Sequence, residues 1–142
     1  MQPVRALLSL VLMCAVPAGC TLLAATALLP TAQRHWQLPA GTTTAQLFDC
    51  GEQTLDALRD SNSSWETVSR CDEPNGVLET GHYPQRNRTG FRLRLHHERS
   101  ANTAKLALRG AGAWFADLGV EAAAGQLQAG IASCLRSPGF SA

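Results

Sequence analysis

The strongest pattern in the chain lies at residues 91–97, where Phe91, Leu93 and Leu95 alternate with Arg92, Arg94 and His96. A period of two puts the apolar set on one face of a strand, so Arg92, Arg94 and His96 are predicted to point outward. The turn Ser100-Ala101-Asn102 leads into 103–109, with Leu106 and Leu108 inward. Upstream, residues 65–71 alternate with Trp65, Thr67, Ser69 and Cys71 on the inner side, and Pro74-Asn75-Gly76 turns the chain into a second extended run at 77–83. Four successive strands without room for crossover helices predict an antiparallel meander.

Helical periodicity flanks this meander. Leu47, Phe48, Leu55 and Leu58 recur at helical spacing behind the Thr42-Thr43-Thr44 cluster, which can cap a helix starting near Ala45. At the other end Val120, Leu127, Ile131, Cys134 and Leu135 share one face of an alanine-rich helix. The order helix, four strands, helix, with a polar outer face on the Phe91 strand, predicts an α+β two-layer sandwich with both helices on one side of the sheet. Residues 33–44, with Pro39 and Gly41, read as a linker, and 45–142 as a single small domain.

Residues 6–29 form an apolar run without a charged side chain, preceded by Arg5. The order basic, then apolar, is that of an export signal, cut after Ala25-Thr26-Ala27 or after Pro30-Thr31-Ala32 to release a soluble domain. The length of the run equally suits a retained membrane span. Within it, Ala18-Gly19-Cys20 resembles the small-small-Cys ending of the signals of bacterial exported lipoproteins, and that resemblance implies acylation of Cys20. Residues 1–32 are therefore a signal peptide or a membrane anchor. Every version places the domain outside the cytoplasm, anchored at a periplasmic or cell-surface membrane, or secreted if the segment is cleaved.

The net charge of +1 gives no field that would attract nucleic acid. Its distribution matters more, because eight carboxylates lie between Asp49 and Glu79, whereas residues 81–112 hold six arginines and Lys105 against Glu98 alone. Arg92, Arg94, His96 and Arg109 on the outer sheet face, with Arg86 and Arg88 from the preceding loop, form a basic surface suited to an acidic protein patch or an anionic envelope component.

Outside the targeting region, three cysteines in an oxidising compartment suggest one disulfide and one free thiol. Cys50 with Cys134 ranks first, since it would staple two helices of one layer and close a long loop worth about 4 kcal/mol; Cys50 with Cys71 follows. Asn62-Ser63-Ser64 and Asn87-Arg88-Thr89 are glycosylation acceptors if the chain passes an endoplasmic reticulum.

His96 and His97, adjacent on a strand, face opposite ways and cannot share a metal, while His82 could lie across the sheet from His96. No fitting carboxylate or cysteine completes such a pair, so no metal site is expected. Neither a nucleophile elbow nor a phosphate-cradling loop occurs, so neither an enzyme nor a cofactor is expected. The sequence leads to a non-enzymatic, membrane-anchored envelope protein that binds through its basic sheet face. The alternative is a secreted or viral-type glycoprotein subunit using its spare cysteine for an intermolecular bridge.

Overall fold

The computed structural model describes residues 30–85, 89–111 and 119–137. Cys20, Arg86, Asn87 and Arg88 lie outside these residues, as does the run 1–29. Among the described residues seven elements follow one another: β1 (Thr31–Gln37), α1 (Thr44–Ser61), β2 (Val68–Asp72), β3 (Val77–Thr80), β4 (Gly90–Glu98), β5 (Thr103–Ala111) and α2 (Val120–Leu135). The strands form one antiparallel sheet in the order β1-β5-β4-β3-β2. The architecture is α+β, as the periodicity predicts, but the sheet has five strands.

The extra strand is β1, in the stretch read as a linker. It pairs residue for residue with β5, from Thr31 opposite Arg109 to Gln37 opposite Thr103. Ala32 is fully buried and Trp36 packs against the core, while Thr31, Gln33, His35 and Gln37 are exposed. Only two of its seven residues are strongly apolar, which hides the alternation, and Pro39 belongs to the turn that follows, where its carbonyl accepts the Thr42 N–H at 3.2 Å. Pairing closes an edge of β5 that would otherwise expose a row of backbone groups.

Helix α1 starts on a capping box: the Thr43 hydroxyl accepts the Gln46 N–H and the Gln46 side chain accepts the Thr43 N–H. Its 18 residues run back along β4, from Thr44, whose hydroxyl meets His97 near the end of that strand, to Ser61, three residues before the Ser64 carbonyl accepts the Phe91 N–H at its start. At 1.5 Å per residue that is about 27 Å, close to the length of the nine-residue strand. Leu47, Phe48, Cys50 and Leu55 on α1, with Ala123, Ala124, Leu127 and Ile131 on α2, bury the same face of the sheet, built from Leu78, Phe91, Leu93, Leu95, Leu106 and Leu108. Both helices thus share one layer. Cys50 and Cys134 are joined across it by a disulfide with a Cα separation of 5.6 Å.

The predicted first strand, 65–71, is displaced. Trp65 is buried against Phe91, ring centroids 4.9 Å apart, but strand pairing starts at Val68 and a bulge follows before Arg70. Cys71 pairs with Leu78 and so lies on the helix side, yet β2 is the outermost strand and its thiol is free and exposed rather than in the core. No helix among the described residues is long and apolar enough to cross a membrane.

Candidate ligand-binding face of the sheet

Opposite the helices, the face of β1, β5, β4 and β3 is built from rows of cross-strand neighbours. Thr31, Arg109 and Arg92 form the first row; Gln33, Ala107, Arg94 and Glu79 the second; His35, Lys105, His96 and Val77 the third. Arg94, His96 and Arg109 thereby share one surface, as the period of two predicts.

The β4 end of the first row is not open to solvent. After β3 the chain turns through Gly81 and His82, both in the left-handed region at φ 57° and 51°, and folds back over β4. A Cβ at Gly81 would stand 2.7 Å from Glu66 Cγ and 2.8 Å from Arg92 Cγ, so only glycine lets the turn lie this close. Tyr83 is buried with its ring against two guanidiniums, 4.6 Å from Arg94 and 4.2 Å from Arg109. Arg109 donates to the Tyr83 carbonyl at 3.0 Å and Arg92 donates to the Gln85 carbonyl.

Arg92, expected as a solvated outward cation, is therefore fully buried on that outer face. Alternation fixed its side of the sheet; a turn distant from the pattern covered it. His82 is likewise corrected: it is exposed on the turn, and the neighbours of His96 are Val77 and Lys105.

Farther along the face, Ala107 contributes only a methyl between longer neighbours. The result is a depression of about 390 Å³ lined by Gln33, His35, Arg94, His96, Lys105 and Ala107. Among the described residues no carboxylate lines it. Each full cation has an acidic partner to one side: Arg94 donates to Glu79, which is only 6% exposed, and Lys105 pairs with Glu98. The Lys105 hydrogen bond holds the Glu98 carboxyl below the usual carboxylate range. The depression can receive acceptors but offers no nucleophile and base in contact.

Gln33, His35, Lys105 and Tyr83 were not singled out by the sequence. Gln33 and His35 were hidden because Arg34 interrupts the inward side of β1 between Ala32 and Trp36. On the opposite face, His97 is buried with Nδ1 2.8 Å from Thr44 Oγ1, so the two adjacent histidines do diverge. Among the described residues, no three histidine, cysteine or carboxylate side chains converge as metal ligands. Asn62 caps the end of α1 and its Oδ1 accepts the Ser64 N–H at 2.9 Å. No protein-family model, curated protein or solved structure matches this chain.

Proposed function

We propose that the chain is a non-enzymatic extracytoplasmic protein, held at a membrane by the apolar run 6–29, that binds another envelope component through the outer face of β1, β5 and β4. The observation carrying this reading is the depression around Ala107, whose lining combines Arg94, Lys105, His35 and His96 without a carboxylate. The Cys50–Cys134 disulfide agrees with an oxidising compartment. The second reading, a subunit bridged to another chain, draws on the exposed thiol of Cys71.

The test uses the full chain in detergent micelles and inside-out and right-side-out envelope vesicles of its native host. Saturable binding to the outer surface is expected, weakened about tenfold by Lys105→Glu combined with His35→Glu, two exposed positions, in a variant whose thermal unfolding remains cooperative. Unchanged binding by a folded double variant overturns the proposal.

A further inference from the structure

The geometry points to an acidic peptide segment as the occupant of the Ala107 depression, an identification that rests on the binding role proposed above and narrows it to one ligand class. The face already holds one stretch of polypeptide by the chemistry a ligand would use. Segment 82–85 seats an aromatic ring on Arg94 and Arg109 and sets two carbonyl oxygens on Arg109 and Arg92. Arg94 belongs both to this seat and to the depression, so the second site continues the first along the same strands.

Donors there are directional and the floor is apolar. Gln33 and His35 on β1 face Arg94 and His96 on β4 across two strand spacings, about 10 Å, and the Lys105 ammonium rises from β5 between them, next to Ala107. An extended peptide fits that width and can place carboxylates against Lys105 and the histidines while a side chain rests on Ala107. A lipid surface is recognised differently, through unpaired Lys and Arg whose fields add. Here Arg94 and Lys105 are already neutralised by Glu79 and Glu98 at short range, so the long-range field is weak and recognition depends on fit.

The probes are an acetylated decapeptide of alternating Glu and Tyr, the matching Lys and Tyr decapeptide, and phosphatidylglycerol vesicles, each titrated against the full chain. The Glu and Tyr peptide is expected to bind at one site per chain and the Lys and Tyr peptide not to bind. Ala107→Gln, which fills the depression without changing charge, is expected to weaken the Glu and Tyr peptide about tenfold at an unaltered thermal midpoint. Equal binding of both peptides, or no loss in a folded Ala107→Gln variant, overturns the identification. Vesicle binding that Lys105→Glu/His35→Glu abolishes, without peptide binding, replaces the peptide by lipid. If peptide binding fails while the double variant still loses its native envelope binding, only the ligand class is wrong. If native envelope binding is unaffected as well, the face itself is wrong.

Discussion

At the residue scale, two side chains have behaviour set by their surroundings rather than their type. Burial under α1 pushes His97 below the ordinary histidine range, and the nearby Arg99 adds to the same direction. A neutral ring in the fold and a more easily protonated one in the unfolded chain mean that protons favour unfolding. The contribution of His97 is therefore complete above the unfolded value, about pH 6.5, and is lost as pH falls through the lower folded value. Urea midpoints measured between pH 7.5 and 5 should fall more steeply for the parent chain than for His97→Gln; parallel slopes would contradict this. Cys71 is the converse case, exposed yet reluctant. Partial burial raises its thiol pKa first, and Glu52, Glu73, Asp49 and Asp72 raise it further by repelling the thiolate. Iodoacetamide at pH 7.5 should label Cys71 several-fold more slowly than free glutathione, and Glu52→Gln with Glu73→Gln should speed it. Labelling at the glutathione rate in the parent chain would show that the carboxylates have no hold on it. The same surroundings would slow any bridge from Cys71 to another chain.

At the scale of elements, α1 and α2 approach closely where Gly130 faces Thr54, one helical turn from the disulfide on each helix. A Cβ at Gly130 would collide with the Thr54 methyl, whose hydroxyl is tied to the Cys50 carbonyl at 2.8 Å. Gly130→Ala should lower unfolding free energy by roughly 1–3 kcal/mol despite the better helix propensity of alanine. Replacing Cys50 and Cys134 by alanine should remove about 2–5 kcal/mol, read from denaturant unfolding. These helices and β4 were legible because Leu47, Phe48, Leu55, Phe91, Leu93 and Leu95 repeat at unmistakable spacings. Strand β1 was not, because its inward residues are Ala32, Arg34 and Trp36, with Arg34 reaching instead to Glu121 at 2.7 Å. The basic rows were readable as a side of the sheet, but the cover over Arg92 depends on Gly81 and Tyr83, tertiary partners that no local period reports. Strand β1 also bears on processing: a cut after Ala32 would sever Thr31 and the fully buried Ala32 from their pairing with Arg109 and Leu108. The intact mass of the mature protein should place its first residue before Thr31.

For the whole molecule, the acidic half of the sequence supplies α1, β2 and β3, and the basic half supplies β4 and β5, so the sheet is polarised across its width. Because the proposed ligand meets cations that already have partners, raising salt from 50 to 200 mM should weaken peptide binding by less than the about 10³-fold typical of proteins neutralising many phosphates. A loss of that size would instead indicate a diffuse polyanion. One last consequence comes from where β1 begins. Thr31 enters the sheet directly after Pro30, and the apolar run ends at Leu29. With residues 6–29 held in a bilayer as proposed, the intervening chain spans no more than about 7 Å, a leash too short for the domain to search away from its membrane. On that proposal a partner carried by the same membrane meets the face under two-dimensional confinement, which raises its effective concentration and lets a weak, shallow site suffice.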